Sequence, residues 1–473
     1  MPYLSIFLAI TLTAFSNPLF AEKANLPKSL LEIIDKSNIP IDAISLVIYS
    51  LDNQKQIAAL NPATNRIPAS LVKIIPTWVA LETLGPSYSW KTEIRTLGNI
   101  ENGVLNGDLL FKGLGDPFLV IEDLWHIVQA LSRKGLHHID GNFLIDSSYF
   151  SPINPTPIDG DPLRLYNVSP SATMVNFKWI DLIVNPTSDG TKARVNIYPD
   201  LDNLNLVNKL KISNKPCRGN HPRIQLESSD DLGTITISGK LPRACRNYTL
   251  SRTALSSDAY LYGLFKKLLS DNRGDITGVH LKATPLQTLE SKLFYTWNSK
   301  PLVEIVTKLN KWSNNLMARS LVYSIGAELM GAPGSREKGV KAIKQFLTQQ
   351  GLDLTGMHID NGSGLSRSSR ISTNLLNGIL NRAWRSPLMP EFASSLSIAG
   401  KDGTTRRRFL NPTIENKVRI KTGTLNDVSS AGGYVFGQSG EVFSFALITN
   451  YPRVERVLGP KFQEALVEWI TRL

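Results

Sequence analysis

A chain of 473 residues, 42% hydrophobic and 19% charged and without a low-complexity tract, is too long for one ordinary domain and apolar enough for a sizeable core, so two to four domains are expected. Lysine and arginine outnumber aspartate and glutamate 52 to 40, a net charge of +12 read first as an evenly spread solvated surface and second as attraction to an acidic envelope polymer or an anionic membrane. No helix-turn-helix, finger or mixed aromatic and basic signature accompanies that charge, and nucleic acid is set aside as a partner.

The chain opens with an apolar run from Met1 to Phe15, too short to span a bilayer comfortably and suited to a signal-peptide core. Leu19-Phe20-Ala21 precedes Glu22, so residues 1–21 are expected to be cleaved and the rest to work in the periplasm or elsewhere outside the cytoplasm; the run holds no cysteine, which excludes a bacterial lipid anchor. Ala43–Tyr49 and Gln56–Leu60, turning at Asp52-Asn53-Gln54, read as a β-hairpin. A helix follows from Ala69 to about Thr83, with a kink expected at Pro76.

From Trp90 the pattern changes. Strands at Gly107–Gly113 and Gly141–Asp146 bracket a helix near Ile121–Lys134, and the chain is strand- and turn-rich from about Pro155 to Pro242, with strands at Val195–Tyr198 and Thr234–Ile237. A helix at Ala259–Leu269 and a strand at Thr277–Lys282 return to the earlier module, so nearly two hundred residues read as an insertion with two parts. Cys217 and Cys245 are the only cysteines; two thiols in an exported chain are expected to pair, and a loop of that size gains about 3.5 kcal/mol in the chain-entropy model. Two buried free thiols are the alternative, as is half a metal site with His221, but no second ligand pair stands near Cys245, so neither metal nor cofactor is expected.

Regular structure resumes with helices near Leu302–Lys311, Asn315–Glu328, Glu337–Gln350 and Asn374–Trp384, strands at Lys417–Lys421, Gly433–Gly437 and Val442–Thr449, and a closing helix over Pro460–Leu473. Strands from both ends of the chain are expected in one antiparallel sheet covered by helices.

Three short motifs carry chemistry in this frame. Ser70 and Lys73 stand three apart at a helix start, where side chains at that spacing touch and an amine can take the hydroxyl proton. Ser313-Asn314-Asn315 and Lys421-Thr422-Gly423 follow in the order that makes such a pair informative. Ser335-Arg336-Glu337-Lys338 and Ser270-Asp271-Asn272 match the same patterns, but the first is out of order and reads as a helix cap, the second closes a helix, and Ser372 likewise reads as a cap. There is no Gly-x-Ser-x-Gly, and Val340 stands where a phosphate-binding loop needs lysine. In this chemistry Ser70 attacks a carbonyl and a neutral Lys73 accepts the proton; Lys421 nearby is a second cation, and like-charge proximity lowers the pKa of one amine of the pair, a shift neither owns alone. Ser313 relays it to the leaving amine, and Asn315 orients Lys73 and a substrate amide. Lys421 with Thr422 holds a carboxylate while Gly423 lets the backbone approach closely, and the backbone N–H groups of Ser70 and Thr424 are the expected oxyanion donors.

With these residues the chain resembles the penicillin-recognising serine acyltransferases, and more narrowly the D-alanyl-D-alanine carboxypeptidase/endopeptidases among the class C low-molecular-mass penicillin-binding proteins. The likeness includes Gly107-Asp108-Leu109, Gly113-Leu114-Gly115-Asp116-Pro117, Ile139-Asp140-Gly141, Asp360-Asn361-Gly362-Ser363-Gly364-Leu365-Ser366-Arg367 and Gly400-Lys401-Asp402-Gly403-Thr404. It implies an α+β fold: a β-lactamase/transpeptidase-like domain (22–89 and 286–473) with an antiparallel five-stranded sheet flanked by helices, interrupted by an α/β insertion (90–154 and 246–285) and a β-rich one (155–245). It implies cleavage of D-Ala-D-Ala termini and D-Ala–diaminopimelate cross-links in peptidoglycan stem peptides, with penicillins as covalent inhibitors. Ser70, Lys73, Ser313, Asn315 and Lys421 carry over as catalytic; Thr422, Gly423, Asp146, Arg367 and Asn426 carry over as substrate contacts. Asn361 and the stretch Asp427-Val428-Ser429-Ser430 depart from the family pattern. A serine β-lactamase and a catalytically idle wall-binding protein are the alternatives; the long insertion speaks against the first and the intact motifs against the second.

Overall fold

The computed structural model describes residues 26–153, 160–218, 223–229, 233–456 and 458–473; the expected signal peptide (1–21) and His221 lie outside the described residues. The two ends of the chain meet in one sheet. Ile44–Ser50 pairs on one side with Lys55–Leu60 and on the other with Val442–Asn450, both antiparallel. The order continues through Val428–Phe436 and Val418–Leu425, the five expected strands, to a sixth of only two residues, Ser397–Ile398. Val428–Phe436 and Val442–Asn450 are buried at every position but the last, because helices cover both faces and the usual alternation has no solvent side to follow. Leu30 and Ile34 of the first helix pack with Phe462, Leu466 and Ile470 of the last on one face; Val79, Leu321 and Ile379 belong to the helical core on the other.

Two sequence expectations are corrected within this domain. Val428–Phe436 starts five residues before Gly433, where serines hid it: Ser429 Oγ accepts from Gln463 Nε2 at 2.8 Å, and Ser430 Oγ donates to the Pro68 carbonyl at 2.6 Å, so both hydroxyls are satisfied inside the sheet. Pro76 does not kink its helix. Ala69–Lys73 is a 3₁₀ turn, the α-helix proper begins at Ile74, and Pro76 falls in its first turn, where a missing N–H costs little.

The insertion holds a seven-stranded sheet and two three-stranded ones. In the first, the hairpin Lys91–Glu101 and Val104–Gly113 is flanked by short parallel strands, including Phe143–Asp146, and by Lys292–Asn298. Lys292–Asn298 was expected in the catalytic domain beyond residue 285; instead it pairs with Lys91–Glu101, which moves it into the insertion's sheet. Tyr248–Arg252, placed by sequence with the α/β part, pairs with Ile180–Pro186 of the β-rich part. The helix Ser257–Asp271 joins the parts, since its Tyr260 and Phe265 share one core with Phe143, Leu182 and Ile237. Cys217 and Cys245 are disulfide-bonded, Cα atoms 5.1 Å apart, tying together the segments that follow Asn205–Ser213 and Thr234–Pro242.

Candidate active site

Ser70 stands in the 3₁₀ turn, preceded by Ala69 at φ +47°, a left-handed conformation that costs an alanine energy and recurs at functional sites. Packing from two sides holds that turn. Ser430 binds the Pro68 carbonyl, and Gly364, at φ +83°, lies so close that a Cβ there would sit 2.1 Å from the Ala69 oxygen. Gly423 on the neighbouring strand is equally confined, a Cβ there falling 2.8 Å from both the Leu71 nitrogen and the Pro68 oxygen. Glycine at both positions lets two backbones close on the nucleophile.

One turn on, Lys73 is fully buried, with Nζ 2.9 Å from Ser70 Oγ and 2.7 Å from Asn315 Oδ1, and it donates to the Ser363 carbonyl. Burial, and then the nearby cations of Lys421 and Arg319, hold its pKa well below the ordinary lysine value. A lysine kept neutral beside a serine hydroxyl is a general base in position.

Lys421, 1% exposed, donates from Nζ to Ser313 Oγ at 2.8 Å and to the Thr422 carbonyl at 2.8 Å; burial pushes it down to about 7. Ser313 ends the helix Leu302–Trp312 in a left-handed conformation (φ +56°), and Asn314 caps the next helix by accepting from the Leu316 and Met317 N–H groups. The bend thus aims Ser313 at Lys421 and Asn315 at Lys73. Lys311, just before it, is ion-paired with Asp402, and Thr404 Oγ1 lies 3.4 Å from Thr422 Oγ1, so the Gly400–Thr404 loop braces both motifs.

Ser70, Lys73, Ser313, Asn315, Lys421, Thr422 and Gly423 therefore converge as the sequence suggested. Ser397–Ile398 pairs only with Ile420 and Arg419, which leaves Lys421–Leu425, Thr424 included, without a ladder partner on that edge among the described residues. Arg367 Nη1 donates to the Asn426 carbonyl at 2.9 Å and lies 3.8 Å from Asp427. Asp146 bonds away from this cluster: 6% exposed, its carboxylate accepts from Ser148 N–H and Thr288 Oγ1 within the insertion, the first of these being what the last residue of a strand does for its own turn. The decoys behave as helix ends, Ser335 and Ser372 accepting from Lys338 and Leu375 N–H groups and Asn272 capping the helix that contains Ser270.

Sequence reasoning noted Asn361 and Ser430 only as departures from the family pattern, without a role at the site, and passed over Arg319. Asn361 Oδ1 accepts from the N–H and hydroxyl of Ser363, fixing the carbonyl that receives the Lys73 proton donor. Arg319 lies one helical turn after Asn315, donates from Nη2 to the carbonyls of Tyr166 (3.0 Å) and Val168, and has a buried Nε without a hydrogen-bond partner. The one available signal for it was the i, i+4 spacing from Asn315. No cluster of His, Cys, Asp and Glu able to hold a metal ion occurs among the described residues.

A helix-flanked antiparallel sheet with a serine activated by one lysine and faced by a second defines a serine acyltransferase of the transpeptidase-like class. Residues 26–473 match the D-Ala-D-Ala carboxypeptidase 3 (S13) family, and the chain belongs to it. It is similar to the D-alanyl-D-alanine carboxypeptidase of Actinomadura sp. (strain R39), 27% identical over 422 residues that cover 85% of this chain and 75% of that one. It is also similar to the D-alanyl-D-alanine carboxypeptidase DacB of Haemophilus influenzae, 26% identical over 447 residues that cover 92% and 90%. The crystal structure of penicillin binding protein 4 (dacB) from Haemophilus influenzae shares the fold, with a TM-score of 0.80, 23% identity and coverage of 94% of this chain and 99% of that one.

Proposed function

We propose that this chain is a serine DD-peptidase that acts outside the cytoplasm on peptidoglycan stem peptides, cleaving terminal D-Ala-D-Ala and D-Ala–diaminopimelate cross-links through an acyl-enzyme on Ser70. Ser70 Oγ adds to the carbonyl of the penultimate D-Ala as neutral Lys73 takes its proton. The oxyanion is held by the N–H groups of Ser70 and Thr424, donors worth about 3 kcal/mol each in a preorganised site. Collapse breaks the C–N bond while Ser313 passes a proton to the departing amine, leaving an ester that water hydrolyses with Lys73 again as base. Lys421 and Thr422 hold the terminal carboxylate; Arg367 and Asn426 contact the stem peptide at the mouth of the site. Penicillins, which present an amide and a carboxylate in the same relation, acylate the same serine. The positive surface suits peripheral contact with anionic membrane or wall polymer.

The observation that carries this reading is Lys73 Nζ, buried and depressed in pKa, 2.9 Å from Ser70 Oγ. Fluorescent penicillin is expected to label the protein covalently and to leave Ser70→Ala unlabelled; unlabelled wild type, or equal labelling of both, overturns the assignment. Ser313→Ala is expected to slow labelling about a hundredfold and Ser270→Ala to leave it unchanged.

A further inference from the structure

A groove of about 890 Å³ opens at Trp312–Leu316, beside the second motif, and runs onto the insertion, where Phe118, Phe177, Trp179 and Tyr198 line it. Its aromatic lining is unusually open: Trp312 is 58% exposed and Tyr198 51%. The chain makes a local sacrifice to build it. Asn176, Phe177 and Lys178 all adopt left-handed backbone (φ 49°, 54° and 56°), a conformation that is strained for residues with a side chain. Asn176 holds that turn, its Nδ2 donating to Tyr260 Oη at 3.0 Å and its N–H to the Leu119 carbonyl at 2.8 Å. The turn sets Phe177 edge-on to Phe118, centroids 5.8 Å apart, and leads into Trp179, which packs edge-on to Tyr198 at 6.1 Å.

Position and charge say what such a groove takes. Ser313 delivers the proton to the leaving amine, so a groove that starts at Ser313 extends from the leaving-group side of the scissile bond. A single departing D-alanine fills little of 890 Å³. Lys300 and Lys308 stand over the Phe118 ring at 5.5 and 5.0 Å; Lys300 is 3.1 Å from Asp123, whereas Lys308 has no acidic partner among the described residues. An apolar floor with Lys300 and the single acid Glu122 in its lining, and Lys308 beside it over Phe118, fits a peptide that carries methyl and methylene groups together with carboxylates.

We infer that this groove binds the departing stem peptide of a cross-linked substrate, making the insertion the element that selects cross-links over free pentapeptide ends. The inference rests on the DD-peptidase reading and goes beyond it by assigning a second peptide site.

The test compares wild type with Trp179→Ala, Tyr198→Ala and Lys308→Gln on three substrates: a sugar-free D-Ala–diaminopimelate cross-linked peptide dimer, the same dimer bearing its disaccharides, and a monomeric pentapeptide. For the aromatic variants kcat/KM on both dimers is expected to fall about tenfold, and somewhat less for Lys308→Gln, while D-Ala release from the monomer and penicillin labelling stay at wild-type values. Unchanged labelling shows that the variants are folded. An equal loss on dimer and monomer, no loss on either, or a loss confined to the sugar-bearing dimer (a glycan platform) overturns the inference. Wild type that releases D-Ala but cleaves no cross-link overturns it while sparing the carboxypeptidase; wild type inert on all three overturns the underlying reading instead.

Discussion

In the catalytic sheet Val442–Asn450 is buried along almost its whole length, whereas Ala193–Tyr198 in the insertion alternates between half-buried and exposed residues and Asn205–Ser213 is mostly exposed. The first region buries the charged groups of its site and holds Lys73 and Lys421 by several hydrogen bonds; the second leaves its outer strands half-exposed, adds a disulfide, and spends its irregular backbone on an open aromatic surface. The difference follows from what each must do. A general base works only while it is dry and held to a fraction of an ångström, and a surface that reads a long flexible substrate must stay accessible.

The contrast can be broken by substitution. Lys73→Met removes the base and is expected to lower penicillin acylation at least a thousandfold without loss of fold, measured by stopped-flow labelling and far-UV circular dichroism. Ser430→Ala touches no substrate, yet it releases the Pro68 carbonyl and is expected to slow acylation ten- to a hundredfold, since a small misplacement of the nucleophile is enough. Arg319→Gln takes a cation from the helix facing Lys73, where Lys421 on the strand is the other nearby cation. Lys73 would then hold its proton to higher pH, so the acidic limb of the acylation profile should move up in pH and the rate should fall on the acidic side of that limb, with Arg319→Lys restoring the profile. The sign is fixed by the role: a base is active above its pKa, and raising that pKa narrows the active range. A loss of rate equal at every pH would mean that Arg319 only holds the loop at Tyr166–Val168.

The smallest effect on catalysis is expected from the paired Cys217→Ser and Cys245→Ser change, which should leave acylation unaltered while destabilising the insertion by about 3 kcal/mol, read as a lower thermal midpoint and earlier proteolysis between residues 205 and 245. If it slowed acylation as much as Ser430→Ala, the division between a rigid catalytic region and a tolerant insertion would be wrong.

What the sequence disclosed follows the same division. Ser70, Lys73, Ser313, Asn315 and Lys421 were legible because their chemistry admits few residue types and their order is informative, and the hairpin at Ile44–Leu60 because its turn is local. The start of Val428–Phe436 was hidden, since Ser429 and Ser430 are polar residues made acceptable in a core by Gln463 and Pro68, partners far away in the chain. Lys292–Asn298 was placed with the catalytic domain because its partner, Lys91–Glu101, lies two hundred residues earlier, and no local pattern reports a pairing of that range. Arg319 resembles any solvated helix charge until the loop at Tyr166–Val168 closes over it.

The antiparallel union of Ile44–Ser50 with Val442–Asn450 also sets when the enzyme comes alive. The nucleophile emerges early in synthesis, but Ser430, which holds its turn, and Lys421, the amine that faces it, emerge much later in the chain. A chain halted before Val418–Leu425 and Val428–Phe436 carries its serine in an unfinished cradle, with no amine of Lys421 opposite it and no Ser430 hydroxyl on the Pro68 carbonyl.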